Sequence, residues 1–338
     1  MRILGFARSA AMLAAGVFAG CGGSPPQGAV PPAGAPPGAA LVRPPSHGVS
    51  WMGKGVKQQD LLYVSNGDGV VNVYRYWQHT LVGVLGNFTN PEGECTDAAG
   101  DVYIVDEKAE KIYKYAHGGT KAIKTIDDSP QAPFSCAVNQ ATGDLAIANY
   151  GENYYGAGNI TIYPHGSGKP TIYKTGDNLD HFVSCNYDHR GDLFSTSDNG
   201  YGSFYSSYFY YLPKQGKSLK PMTLPGPSRS WQWGSGASIV WDGKYWVVGT
   251  NNEYTNYDLL RYIINVKAYY VSTTQLSVAN NAQQIAIYRP IVKSHSAEVV
   301  GTNGAVYYWN YPAGGNPIGQ ITKGLDDPYG VAISLGTP

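Results

Sequence analysis

From Asp60 onward the chain alternates apolar and polar positions in short runs, each closed by Gly, Asn, Asp or Pro. That period of two is the pattern of half-buried strands. The clearest stretch is PEGECTDAAGDVYIVDEKAEKIYKY at 91–115, which predicts a strand at 91–97, a tight turn, a strand at 101–106, a polar hairpin and a third strand at 111–115. KAIKTI at 121–126 supplies a fourth. The same four-strand unit follows as PFSCAVN (133–139), DLAIAN (144–149), NITIYP (159–164) and PTIYKT (170–175), and again as FVSCNYD (182–188), DLFSTS (192–197), FYSSYFYYLP (204–213) and SLKPMTL (218–224).

Between 224 and 296 the pattern softens. GASIVWDGKYWVVGTNN (236–252) keeps a first hairpin, with YDLLRYIINVKAYYV and TTQLSVAN as outer strands, and AQQIAIYRP, AEVVGTN, AVYYWNYP and PIGQIT form a further set. The two ends are incomplete in complementary ways. LLYVSN (61–66), VVNVYRY (70–76) and TLVGVL (80–85) lack a first strand, whereas DDPYGVAIS (326–334) is a first strand with nothing after it. Pairing the two ends completes one sheet and removes two open edges, which predicts an all-β fold, a six-bladed β-propeller closed by its N-terminal strands and its C-terminal strand. The soft stretch leaves five or seven blades as alternatives.

Ahead of this region the composition changes twice. MRILGFARSAAMLAAGVFAGC places Arg2 and Arg8 before an apolar run and small residues before Cys21, the layout of a secretory signal. It resembles a bacterial lipoprotein signal, with Phe18 where Leu is usual, and the resemblance implies that Cys21 becomes the lipidated first residue of a protein anchored in the bacterial cell envelope, on its periplasmic or extracellular side. An ordinary signal peptide followed by a lone Cys is the alternative. The apolar run is too short for a permanent transmembrane helix. Residues 22–58 are rich in Pro, Gly and Ala and read as a disordered tether, leaving 59–338 for the propeller. Lys plus Arg and Asp plus Glu both number 24, so no net field draws the chain to nucleic acid.

The repeat resembles the NHL repeat and the SMP-30-like propellers related to it. Pro91, Gly93, Asp97, Gly100, Tyr103 and Asp106 match that blade pattern, as do Pro133, Asn139, Gly143 and Asn149, and then Asp188, Gly191 and Asp198 with Phe182 in place of the proline. The resemblance implies the fold and leaves function open, because such propellers host sugar-acid lactonases, lyases and pure binding modules. The lactonase branch sets a Glu before Gly-Pro in its first blade. This chain has Pro91-Glu92-Gly93 instead, and no metal ligand carries over.

Second strands end in Asn66, Asp106, Asn149, Asp198, Asn251 and Asn303. Turn chemistry explains such a column, since Asn and Asp favour the loop that follows. The functional alternative is a hard cation such as Ca²⁺ at the channel mouth, with Asp106, Asn149, Asp198 and Asn251 as candidate ligands. Glu92, Glu94 and Asp180 sit near first-strand entrances at the same end. Cys95, Cys136 and Cys185 lie on first strands, and register turns Cys95 to the opposite side from the other two. They are expected to be buried thiols between blades, a disulfide requiring Cα atoms within about 7 Å. His117 and His165 belong to equivalent hairpins, while His181 alone falls at the mouth. Tyr154 and Tyr155, Tyr201, and Trp231 and Trp233 lie in aromatic, Ser/Asn/Gly-rich loops at that end; with Tyr329 and His181 they define a candidate surface for an envelope protein or a carbohydrate. Tyr is abundant throughout, at 28 residues, so the same loops also fit a chain that uses Tyr everywhere. The expectation is a binding or scaffolding module, with a metal-dependent lactonase or lyase as the alternative.

Overall fold

A computed structural model of the chain describes residues 48–152, 156–176, 180–198, 207–228, 238–251, 256–265, 267–277, 284–288, 298–302 and 304–336. The strands run in chain order as β1 (Trp51–Met52), β2 (Leu61–Asn66), β3 (Val71–Arg75) and β4 (Thr80–Leu85), then β5 (Pro91–Thr96), β6 (Val102–Asp106), β7 (Lys111–Tyr115) and β8 (Ala122–Asp127). The third blade holds β9 (Gln131–Val138), β10 (Leu145–Glu152), β11 (Asn159–Tyr163) and β12 (Thr171–Tyr173), and the fourth holds β13 (His181–Tyr187), β14 (Leu193–Asp198), β15 (Tyr208–Leu212) and β16 (Lys220–Met222). The soft stretch resolves into β17 (Ile239–Trp241), β18 (Trp246–Asn251), β19 (Asn256–Ile264) and β20 (Ala268–Ser277), then β21 (Ile285–Tyr288), β22 (Glu298–Thr302), β23 (Val306–Asn310) and β24 (Gly319–Ile321). The last strand, β25 (Pro328–Ser334), returns to β2.

Six antiparallel sheets result. In each, the first strand is an edge, and consecutive first strands touch in the circuit β25, β5, β9, β13, β17, β21 and back to β25. The molecule is a six-bladed β-propeller. Closure is made by β2 on β25, with Leu61 opposite Ser334, Tyr63 opposite Ala332 and Val64 opposite Val331.

The closing sheet has a fifth strand that the sequence reading missed. Trp51–Met52 pairs with the outer edge of β4, and Val56, buried, packs in one apolar cluster with Leu61 and Tyr63. The tether expected to reach residue 58 therefore gives up its last segment to the fold. Its apolar residues are the reason: Trp51, Met52 and Val56 have area to bury, and Gly83 leaves the room, since a Cβ there would lie 2.3 Å from Met52 Sδ.

Turns follow the repeat. Asp97 Oδ1 accepts the N–H groups of Ala99 and Asp101, Asp188 Oδ1 accepts those of Arg190 and Asp192, and Gly100 and Gly191 take the left-handed backbone between them. Tyrosine hydroxyls hold the seams. Tyr76 donates to Glu298 at 2.8 Å and Tyr288 to Asp60 at 2.7 Å, both between the first and sixth blades; Tyr311 donates to Asp242 at 2.6 Å between the sixth and fifth. Tyr163 with Asp128, and Tyr210 with Asp180 at 2.7 Å, bind third strands to the connectors entering their own blades.

Cys95 and Cys136 form a disulfide, with Cα atoms 5.7 Å apart, joining the first strands of the second and third blades. The expectation of three thiols is corrected here. Opposite facing is what makes the bond possible, because Cys95 turns towards the third blade and Cys136 towards the second. Cys185 is free and buried, and burial pushes its thiol up to about 12.

Register gives Cys185 a missing partner. Cys95 opposes Tyr103, whose carbonyl lies 3.9 Å from Cys136 Sγ; one blade on, Ala137 opposes Ala146, whose carbonyl lies 3.9 Å from Cys185 Sγ. Ala137→Cys is expected to bond to Cys185, raising the melting temperature and leaving no thiol of the propeller titratable in denaturant. Cys136→Ala, which opens the native bridge across a sequence separation of 41, is expected to cost about 4 kcal/mol on chain entropy. Denaturant unfolding of the two variants beside the parent protein checks both signs.

Candidate functional site on the ring axis

The first strands bring their free edges to the axis, so unpaired backbone N–H and C=O groups line it. A polar residue recurs on or just ahead of five of these strands: Glu94, Ser135 and Ser184 on β5, β9 and β13, and Ser238 and Gln284 one residue before β17 and β21. Several of these side chains cap the neighbouring backbone. Ser184 Oγ accepts the Ile239 N–H at 3.1 Å and Ser238 Oγ accepts that of Ile285 at 3.3 Å. Gln284 reaches furthest. Its Oε1 accepts the N–H groups of Glu94 (3.2 Å) and Val331 (3.1 Å), while its Nε2 donates to the Glu94 carbonyl at 2.9 Å.

The sixth strand carries Gly330 at this level, and it must. A Cβ there would sit 2.2 Å from the Glu92 carbonyl oxygen and 3.1 Å from Gln284 Oε1. The long side chain on one strand thus fills the gap left by the glycine on the next. Together they plug the axis.

Two spaces result, sharing Ser135, Ser184 and Gln284 in their walls. On the side of the first-hairpin turns lies a chamber of about 310 Å³ reaching to Thr96, Gln140, Tyr187 and Trp241. On the side where second strands end lies a vestibule of about 10 Å³, walled by Glu92, Gly93, Phe134, Val183 and Tyr329. Gln284 stands between the two spaces.

Two carboxyls flank the plug. Glu94, 2% exposed, accepts the Ser65 hydroxyl at 2.8 Å, and burial raises its carboxyl to about 8 against the hydrogen bonds that favour its charge. Glu92 is 5% exposed and is raised to about 8 by burial and then by the neighbouring Glu107. Asn90 Nδ2 bridges this second pair, at 2.7 Å to Glu92 and 2.8 Å to Glu107.

The structure places some of the predicted site residues. Asp106 gives its carboxylate to the N–H groups of Thr89, Asn90 and Ala109, which is the turn chemistry of its column and leaves no oxygen turned to the axis. Asn149 directs its amide nitrogen to Asn159 and Thr161, both at 3.0 Å, within the third blade. Asp198 faces His181, Nδ1 to Oδ1 at 3.6 Å, and the imidazole stacks on Tyr150 at 4.2 Å. Asn251 ends β18, and its side chain lies outside the described residues. So do Tyr154, Tyr155, Tyr201, Trp231, Trp233 and Cys21. Tyr329 lines the vestibule, its hydroxyl donating to Asp327 at 2.9 Å. His117 and His165 sit in their hairpins, His117 Nδ1 at 2.5 Å from Ser334 Oγ and His165 Nδ1 at 2.8 Å from the Thr142 carbonyl. Among the described residues, no three His, Cys, Asp or Glu side chains are grouped to hold a metal.

Gln284 and the serines were missed by sequence reasoning. Their signal was a polar residue just before Cys or Ile in successive first strands: Glu94-Cys95, Ser135-Cys136, Ser184-Cys185, Ser238-Ile239 and Gln284-Ile285.

The fold class is shared with known structures. One chain of the crystal structure of a nidogen/laminin complex aligns at a TM-score of 0.63 and 11% identity, over 82% of this chain and 100% of that one. A protein of unknown function from Bacteroides caccae aligns at 0.56 and 12%, over 82% and 99%. The β-propeller domain of Cps50 (Swd1) from Myceliophteria thermophila aligns at 0.52 and 8%, over 84% and 89%. At these identities the likeness is one of fold. Neither a protein-family model nor a curated protein matches the sequence.

The raised carboxyls set a pH dependence. The folded state keeps Glu92 and Glu94 protonated up to about 8 and Asp128 up to about 7, while the unfolded chain releases those protons from about 4 upward. The unfolded state binds fewer protons across that window, so stability falls as pH rises, by up to about 1.4 kcal/mol per pH unit for each group. Glu94→Gln is expected to melt with a shallower fall between the two limits, seen by thermal denaturation across the range.

Proposed function

We propose that the protein is a bacterial envelope lipoprotein, acylated at Cys21, whose NHL-like propeller is carried on a Pro/Gly/Ala-rich tether and binds a partner through the loop face where second strands end. Two independent features support the location. The first is the signal-like N-terminus; the second is the Cys95–Cys136 bridge, since structural disulfides persist in oxidising compartments and are rare in the cytosol. In fractionated cells, Cys21→Ala is expected to move the protein from the membrane to the soluble fraction. Membrane retention of that variant counts against the anchor.

One observation carries the binding reading. Gln284 reaches across the axis to β5 and β25 beneath the loop face, so a partner meets a bridged centre there. A shallow surface suits recognition of another macromolecule, where a few anchors supply most of the energy, and the aromatic residues expected in the loops after second strands are of the kind that serve as anchors. One chain of a nidogen/laminin complex has the same fold, consistent with propellers serving as protein-binding modules. Trp231→Ala with Trp233→Ala is expected to abolish retention of the purified protein on envelope fractions while leaving its unfolding curve unchanged. Retention equal to the parent's removes those loops from the surface.

A further inference from the structure

We propose that His117 is a pH-sensitive latch on the ring closure: neutral and carrying its proton on Nδ1, it ties the closing strand to the second blade, and protonation at Nε2 loosens the seam where both ends of the domain meet.

Three pieces of chain far apart in sequence converge on this imidazole. The hairpin after β7 carries it, β25 ends beside it at Ser334, and the N-terminal segment packs over the hairpin through a single 3-10 turn at Val56–Gln58. Gly118 lets them approach. A Cβ there would lie 2.9 Å from Val56 Cγ2 and 3.6 Å from Lys57 Cγ, and the Gly118 N–H donates to the Tyr63 hydroxyl at 2.9 Å. Asp60 holds the chain ends on the far side, where its carboxylate accepts the Gly336 N–H at 3.0 Å and the Tyr288 hydroxyl at 2.7 Å.

Hydrogen-bond directions fix the tautomer. Ser334 Oγ gives its one proton to the Gly100 carbonyl at 2.5 Å, so it offers only a lone pair to His117 Nδ1, also at 2.5 Å. Nδ1 therefore carries the hydrogen. Nε2 is left as an acceptor, shielded from solvent and without a hydrogen bond. A second proton is pulled both ways. The carbonyls of Gln59 and Val56 and the carboxylates of Asp60 and Asp101 favour it, but burial opposes it and prevails, holding the imidazole below its ordinary 6.5. Lys57 over the hairpin and the Tyr63 hydroxyl are the other titratable groups facing this corner. An opened seam takes up the proton from 6.5 downward while the closed one resists it. The closed state binds fewer protons in that range, so the seam loses stability as pH falls. Glu92, Glu94 and Asp128 act in the opposite sense elsewhere, and the latch is accordingly read locally rather than from a melting curve.

The test uses the full chain. Two-dimensional NMR of the imidazole nitrogens is expected to show the Nδ1–H tautomer at neutral pH and a titration midpoint below 6.5. Amide exchange, corrected for intrinsic rates, is followed at Gln59, Gly118 and Gly336 beside amides of β14 on a distant blade. Protection at the three seam amides is expected to fall between neutral pH and about pH 5, by up to roughly tenfold for each unit that the imidazole lies below its ordinary value, with no matching fall in β14. His117→Asn keeps a donor for Ser334 in its Nδ2 but cannot be charged, and is expected to abolish the fall. An Nε2–H tautomer, a midpoint at or above 6.5, or the same fall in the asparagine variant overturns the proposal. The tautomer and the midpoint are read in the unsubstituted protein and decide the matter where that variant does not fold.

Discussion

Every feature of the ring depends on one strand pairing. β25 runs antiparallel to β2, and through it the last segment of chain becomes the innermost strand of the first blade. Without that ladder the first blade would have no axial strand, and the contacts of β25 with β5 and β21 would vanish with it. The pairing also decides which residue stands at each level of the axis. A slip of one residue would reverse the faces of β25 and put Gly330 out of line with Gln284.

The axis shows the price of building a ring from sheet edges. Six first strands arrive with unpaired backbone groups, and strands so close to a common centre cannot all carry large side chains. The solution is asymmetric: short hydroxyls at Ser184 and Ser238 serve one neighbour each, Gln284 serves two, and Gly330 makes way. Pseudo-sixfold repetition is thereby broken at one level. The break falls between two unequal spaces along the axis, which share Ser135, Ser184 and Gln284 in their walls.

The blades were legible because strand alternation and turn chemistry are local. Asp97, Gly100, Asp188 and Gly191 announce the first hairpin within a few residues, and the orphan strand at 326–334 announced the closure because its pattern repeats that of 91–97. The axis was harder to read, since it depends on which residues of separate strands share a level, and a β-bulge on β5, β9, β13 or β25 shifts that count by one. The cysteines show the limit well. Their opposite facing followed from register, yet the bond between Cys95 and Cys136 required the spacing of two blades, which no single strand encodes. Trp51–Met52 escaped notice for another reason: two residues at the end of a Pro-rich stretch are too few to show a period.

The abundance of tyrosine had two readings, a recognition surface or a general structural habit, and the described residues give the second a mechanism. A tyrosine spans a seam with its ring in apolar surroundings and its hydroxyl on a carboxylate, as Tyr76, Tyr288 and Tyr311 do, so each seam gains packing and a charge-assisted hydrogen bond from one side chain. The same device pushes the tyrosine hydroxyls up, Tyr63 to about 12 through burial even where its oxygen accepts the Gly118 N–H. Tyr329 follows the rule in its hydrogen bond to Asp327 but departs from it in place, because its ring lines a space instead of a seam. The same anchoring thus holds a ring that lines the loop end of the axis, where the other tyrosines hold the seams around it.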